Sequence, residues 1–252
     1  KLKHMVASAD CLFDGLKKIT LQVNTGHLMT DLMQYKNRFG SIEILGNKSF
    51  NKKTIGISMS GGADSTMLCY LIANTIHQKN LNIKIQPYNG YDLWCSSDSA
   101  GLPEIIKYLQ NKFPSVTIHW PISTVFDTKG SLEKGTDKNS YIRPLIDNLV
   151  AKGIIDQVMH AVCLGPPVSV QETFEGWGIF RQPGHRLWEE IEKPANIAPF
   201  VTIDKRFIMQ CYKDFGIEKL LRMTNSCVAP QGNCGECWWC QERNWALNET
   251  LR

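Results

Sequence analysis

A doubly wound parallel α/β sheet with a small cysteine-bearing lobe at its C-terminal end is the fold class this sequence predicts. Three observations carry it. Apolar, β-branched runs alternate with runs at helical spacing. One of those runs passes straight through a Gly-Gly loop into a helical stretch, and four cysteines crowd one short segment near the end.

The chain opens on Lys1 rather than methionine, which reads as an expression scar or a trimmed start. Residues 1–50 hold two modest amphipathic pieces, 11–21 and 28–39, separated by Asn24, Thr25 and Gly26. They carry no catalytic pattern and are expected to form an extension packed on the core. The polar Asn51, Lys52 and Lys53 give way to Thr54, Ile55, Gly56, Ile57, Ser58 and Met59, a short apolar run of the kind a buried parallel strand requires. Met67, Leu68, Leu71, Ile72 and Ile76 follow at helical spacing. A second strand is predicted over 83–88, a helix over 103–113 with Pro103 in its first turn, and a third strand over 116–120. Residues 127–138 are charged and contain Gly130 and Gly135, the makings of a surface loop able to close over a site. A helix over 141–151, with Pro144 early, precedes a fourth strand over 158–164. Residues 165–194 are rich in Gly, Pro and aromatics and read as a substrate- or partner-binding excursion. Asp204 then caps a helix that runs to Phe215 and stops at Gly216.

The 252 residues suffice for one large domain, or one domain with a smaller lobe, without covalent staples. The net charge of +4 comes from scattered basic residues, which is compatible with a nucleotide substrate and only weak evidence for nucleic acid, a partner that is not expected. The sequence shows no long apolar run, signal segment or lipidation motif, so a soluble cytoplasmic protein without a membrane partner is expected. Of nine cysteines, Cys11, Cys69, Cys95, Cys163 and Cys211 are dispersed. That distribution fits a reducing compartment and one metal cluster better than a disulfide scaffold.

The Gly-Gly loop supplies the first chemistry. Glycines permit positive φ and close approach of a ligand to the backbone, and the start of the next helix offers N–H groups and the positive end of its dipole. Ser58, Ser60, Gly61, Gly62, Ala63, Asp64, Ser65 and Thr66 are therefore the candidate phosphate cradle, and Asp64 can hold a magnesium ion or orient a donor. No lysine follows the second glycine, which excludes a Walker-type loop. A plain tight turn with an Asp-Ser helix cap is the alternative, and the whole Ser-Gly-Gly-x-Asp-Ser string outweighs it. Lys205 sits in a first helical turn, an unfavourable place for a cation unless an anion is near, which favours a phosphate role over a solvated lysine.

The second chemistry is the C-x6-C-x2-C-x2-C pattern of Cys227, Cys234, Cys237 and Cys240, with Gly235 in the first knuckle. Four such thiolates can close a tetrahedral zinc shell with no open position, a structural role. An iron–sulfur cluster is the main rival, and a disulfide a distant third. Trp238 and Trp239 are expected to pack beneath the metal, and Arg243 to pair locally.

The loop resembles the PP-loop of the ATP pyrophosphatase superfamily. Together with Thr224-x-Ser226-Cys227 and the C-G-x-C-x-x-C-x-x-R run ending at Arg243, the chain from 54 to 247 resembles the 7-cyano-7-deazaguanine synthase family of queuosine and deazaguanine biosynthesis. Pro199, Asp204, Lys205 and Gly216 match that family's Pro, Asp-Lys helix and following glycine. Three stretches depart from it. Pro144 stands where the family pairs Asn with the arginine at Arg143, Tyr88-Asn89-Gly90 replaces Tyr-Gly-Gln, and residues 165–178 replace an Asp-rich segment with Tyr-Pro-Asp. The resemblance implies a Rossmann-like sheet of the adenine nucleotide alpha hydrolase type, divided into an extension (1–50), an ATP-binding domain (51–215) and a zinc lobe (216–252). It implies ATP, Mg2+ and structural Zn2+ as cofactors, and Asp64, Lys205 and Arg143 as catalytic residues. The implied partners are ammonia and a deazapurine or other carboxylate, and a homodimer is allowed.

The family reaction would be ATP-dependent adenylation and amidation of 7-carboxy-7-deazaguanine, ending in the nitrile. Alternatives are a relative acting on another carboxylate in a phage or defence setting, a tRNA sulfur transferase, and a non-catalytic ATP-binding module. The transferase would want a catalytic C-x-x-C near the nucleotide or a basic RNA-binding domain, and neither is evident. Removing Asp64 or Lys205 is expected to leave the fold intact and abolish pyrophosphate release.

Overall fold

The alternating burial of Met33 and Tyr35 with exposed Gln34 and Lys36 makes β1 (Met33–Asn37) a strand, paired antiparallel with β2 (Gly40–Ile44). This hairpin stands where the amphipathic piece 28–39 was expected. The structure, a computed structural model, describes residues 33–45, 52–93, 101–127, 139–176, 196–229 and 232–251. The 11–21 piece, nearly all of the 127–138 loop and most of the 165–194 excursion lie outside the described residues. Tyr35 fastens the hairpin to the molecule: its hydroxyl donates to Leu71 O (3.2 Å), lies 3.0 Å from Thr75 Oγ1 and accepts from Asn74 Nδ2 (2.9 Å).

The apolar run after Lys53 forms β3 (Thr54–Ser58), the middle of a five-stranded parallel sheet. Helix α1 (Ala63–Lys79) leaves it and is buried along most of its length, because it lies between the sheet and the other helices. It ends at Asn80 in the left-handed conformation (φ 49°). Next come β4 (Lys84–Asp92), α2 (Leu102–Lys112), β5 (Ile122–Phe126), α3 (Asn139–Ala151), β6 (Gln157–Met159), the short α4 (Val168–Gln171) and β7 (Asn196–Ile197). Then follow α5 (Lys205–Asp214), α6 (Glu218–Arg222) and α7 (Trp238–Leu251). The sheet order is β5-β4-β3-β6-β7. The chain thus winds outward through β4 and β5, then returns across β3 to begin the other half at β6. The carboxyl ends of β3 and β6 form the switch point, where sheets of this kind bind their ligands.

Two clusters fill the faces. Ile55, Ile57, Ile85 and Met159 join α1, α2, α5 and α6 in the larger one, while Tyr88 and Val158 meet Leu149 and Ile155 beside α3 in the smaller. Strand register explains this split, since Gly56 pairs with Val158 and Ile57 with Met159.

Three strand boundaries differ from expectation. β4 runs on to Asp92. The third strand is displaced beyond Pro121: residues 117–119 make only one bridge, Ile118 to Ile85, whereas β5 pairs with the second half of β4, from Tyr88 to Asp92. Trp120, expected inside that strand, is 57% exposed. β6 stops at Met159, and the chain reaches Leu164 before bridging again, to Asp204. Among the described residues no helix is long and apolar enough to cross a membrane.

Candidate functional site: a phosphate-type loop and a four-cysteine cluster

β3 and α1 meet at the loop the sequence singled out. Met59 extends the ladder by donating to Tyr88 O (2.8 Å), and Gly61 turns the chain at φ +80°, a conformation in which side chains are strained. Gly62 is the N-cap and offers no side-chain cap; the first intrahelical bond is Thr66 N–H to Gly62 O (3.2 Å). The N–H groups of Ala63, Asp64 and Ser65 lie ahead of that bond and point out of the helix start. Ser60 and Ser65 brace the loop internally: their hydroxyls are 3.3 Å apart, Ser65 Oγ accepts from Ser60 N–H (3.3 Å), and Gly62 N–H donates to Ser60 Oγ (3.2 Å). These are long, neutral bonds that phosphate oxygens can replace with stronger ones.

Lys205 comes to this loop from the far half of the sheet. Asp204 caps α5 by accepting from Arg206 N–H (2.9 Å), which aims the next residue inward. Lys205 Nζ lies 3.0 Å from Asp64 Oδ2 and 2.8 Å from Glu242 Oε2, and its side chain is only 2% exposed. The solvated reading of this lysine is therefore wrong. Burial alone would lower its pKa, but the Asp64 and Glu242 carboxylates outweigh that and hold it above the ordinary lysine value. Loss of Lys205 would take an ion-pair partner from both carboxylates, so a cost in stability is expected beside the loss of function. The Asp64 side chain is 24% exposed, but its Oδ1 is buried and has no hydrogen-bond partner. A carboxylate oxygen in that position fits a hard cation such as magnesium.

The structure thus gathers Ser60, Gly61, Gly62, Asp64, Ser65 and Lys205. Ala63 and Thr66 are buried; Ser58 closes the strand beneath the loop. Arg143 stands exposed on α3, outside the Asp64–Lys205–Glu242 cluster. Sequence reasoning missed three supports. Glu242 is wholly buried behind Lys205, Tyr212 donates to Ala63 O (2.8 Å), and Asn225 N–H donates to Gly61 O (3.0 Å). Asn225 lies within the Thr-x-Ser-Cys string, the one signal that could have found it. A cavity of about 590 Å3 bounded by Lys53, Thr54, Asn82, Lys84, Gly153 and Asp156 opens at the opposite, amino end of the strands, away from these groups.

The four cysteines converge. The Sγ atoms of Cys227, Cys234, Cys237 and Cys240 all lie within 4.8 Å of one another, with Cys227 to Cys234 at 3.5 Å and Cys237 to Cys227 at 4.0 Å. Around a single ion with bonds of about 2.3 Å, four sulfurs stand about 3.8 Å apart; bridging sulfides would force them wider. The set fits one metal ion. N–H donors surround it as they would thiolates: Ala229 and Cys234 donate to Cys227 Sγ (both 3.3 Å) and Cys237 to Cys234 Sγ (3.2 Å). The Cys237 N–H chiefly pulls the Cys234 thiol down to about 7. Trp238 is fully buried, edge-on to Phe174 and Trp239, and Arg243 donates to Leu221 O (2.9 Å) and Thr224 O (3.0 Å).

The fold is that of a doubly wound α/β protein with a candidate phosphate cradle at its switch point and a C-terminal cluster of four cysteines that could hold a metal. No protein-family model and no curated protein matches the sequence. Among solved structures it is similar to the U34-tRNA thiolase NcsA from Methanococcus maripaludis with its 4Fe-4S cluster, at 13% identity and a TM-score of 0.42 over 79% of this chain and 64% of that one. It is also similar to NAD+ synthetase from Burkholderia pseudomallei, at 12% identity and a TM-score of 0.34 over 79% and 75%. A universal stress protein in complex with cAMP aligns at 9% identity and a TM-score of 0.26, over 42% and 74%. The chain spans just under two thirds of the thiolase's length. At these scores the likeness carries no argument, and the candidate nucleotide site rests on the chain's own residues.

Proposed function

We propose that the protein is an ATP-dependent adenylating enzyme that activates a carboxylate and amidates it with ammonia, its substrate a 7-carboxy-7-deazaguanine-like deazapurine and its end product the nitrile. The observation that carries the reading is the Asp64–Lys205 pair, 3.0 Å apart at the mouth of a Gly-Gly loop at the switch point. The loop alone is a turn; a lysine brought from the far half of the sheet makes it a charged anion site.

The residues divide the work. The helix-start N–H groups and the Ser60 and Ser65 hydroxyls hold phosphate oxygens. Lys205 offsets the negative charge that builds on departing pyrophosphate. Asp64 would hold magnesium, which when bound would screen the negative charge of the phosphates. A substrate carboxylate oxygen attacks the α-phosphorus, the bond to pyrophosphate breaks, and an acyl-adenylate forms. Ammonia then displaces AMP to give the amide. A second ATP activates the amide oxygen, which leaves on AMP while the nitrogen loses its protons to give the nitrile. No covalent nucleophile is required. Cys69, Cys163 and Cys211 are buried. Zinc is the ion proposed for the cysteine cluster, in a structural role.

The test is mass spectrometry of purified protein with Mg-ATP, ammonium and 7-carboxy-7-deazaguanine, following base and nucleotide together. Amide or nitrile with AMP and pyrophosphate supports the reading. ATP cleaved to AMP without base conversion redirects the search to another carboxylate, and unchanged ATP refutes adenylation with this substrate.

A further inference from the structure

We propose that Glu242 is a positioning residue of the nucleotide site: it holds the Lys205 ammonium in place beside the phosphate loop when Asp64 turns to the nucleotide and its metal ion. This rests on the ATP-binding reading above. Lys205 Nζ is shared between two carboxylates, 3.0 Å from Asp64 Oδ2 and 2.8 Å from Glu242 Oε2, but the two are not equivalent. Asp64 belongs to the first turn of α1, is partly exposed and carries a buried Oδ1 with no hydrogen-bond partner. Glu242 is sealed in the interior. A cation carried in on phosphates can reach Asp64 and cannot reach Glu242. Each contact it makes with Asp64 weakens the hold of that carboxylate on Lys205. A buried ammonium left without a carboxylate is heavily penalised. Glu242, standing behind it, removes that penalty and leaves the ammonium's remaining N–H bonds for phosphate oxygens.

The same helix ties the cysteine lobe to the loop. α7 starts directly after Cys237, carries Cys240 in its first turn and then presents Glu242 and Arg243. Arg243 holds Leu221 O and Thr224 O, and the adjoining Asn225 N–H is bonded to Gly61 O. One helix anchored at the cluster therefore supports both the lysine and the glycine of the cradle. The lobe is a working part of the nucleotide site.

The experiment is a double-mutant cycle on Mg-ATP affinity by titration calorimetry, using wild type, Glu242→Gln, Lys205→Met and the double variant, with metal content measured for each. Glu242→Gln is expected to weaken binding by at least about tenfold with the bound metal unchanged. In the Lys205→Met background the same change is expected to alter affinity by less than about twofold, because Glu242 acts through the lysine. Affinity within about twofold of wild type for Glu242→Gln, or the same loss in both backgrounds, overturns the proposal. If Glu242→Gln fails to fold, the comparison of Lys205→Met with the double variant decides, a further loss beyond about twofold overturning it. Wild type that binds no Mg-ATP refutes the nucleotide reading itself, a failure distinct from that of Glu242.

Discussion

Lys205→Met tests whether the buried charge cluster is as consequential as its geometry implies. Methionine keeps most of the lysine stem's volume, so packing changes little and the charge is what is lost. Two carboxylates lose this ion pair, unequally. Asp64 is 24% exposed and can turn to water, so its share is small; Glu242, at 0% exposure, cannot. Breaking a buried pair by removing one partner costs about 3–5 kcal/mol, and Glu242 places this variant in that range. For a chain of this size that corresponds to a fall in Tm of roughly 6–20 °C. The assay is urea unfolding at pH 7 followed by circular dichroism, with the slope compared to wild type so that only the midpoint carries the effect. Lys205→Met,Glu242→Gln, which removes both buried charges, should recover a large part of the loss. A single variant less than about 1 kcal/mol weaker than wild type would refute the claim that the cluster is buried and coupled.

Two further outcomes follow from the same structure. Cys237→Ser should lose the bound metal; zinc sites of this kind bind with apparent energies of about 10–16 kcal/mol, so forfeiting even a third of that lowers Tm by about 6 °C or more. Atomic emission and a melting curve check this, and a variant keeping its metal and its Tm would contradict a structural ion. Burial pushes the Cys69 thiol from 9.0 up to about 12. Above pH 9 the unfolded chain releases this proton and the folded one keeps it, so stability falls as pH rises from 9 towards 12, by about 1 kcal/mol between pH 9 and 10. Cys69→Ala should show a shallower decline in urea unfolding from pH 9 to 10, and an identical slope would sink the assignment.

What could be read from the sequence was what is local. The strand, loop and helix around Gly61 are specified by neighbouring residues, and the four cysteines announce themselves by spacing. Asp204 and Gly216 delimit α5 because capping is short-range chemistry. Glu242 escaped because a glutamate between a cysteine knuckle and an arginine looks like surface charge; only the fold brings Lys205 to within 2.8 Å of it. The hairpin at residues 33–44 was legible in principle, since Met33 and Tyr35 alternate with polar residues, but the amphipathic span 28–39 hid a period of two. The third strand was misplaced because residues 116–120 carry the stronger β-branched signal, whereas pairing with the second half of β4 falls to the residues after Pro121.

The most direct test of the central claim is 31P NMR of Mg-ATP incubated with the protein, ammonium and 7-carboxy-7-deazaguanine, with Asp64→Asn run in parallel. The account predicts signals of AMP and pyrophosphate that appear with the wild type and not with the variant. ADP and phosphate in their place, or equal turnover by Asp64→Asn, would contradict it.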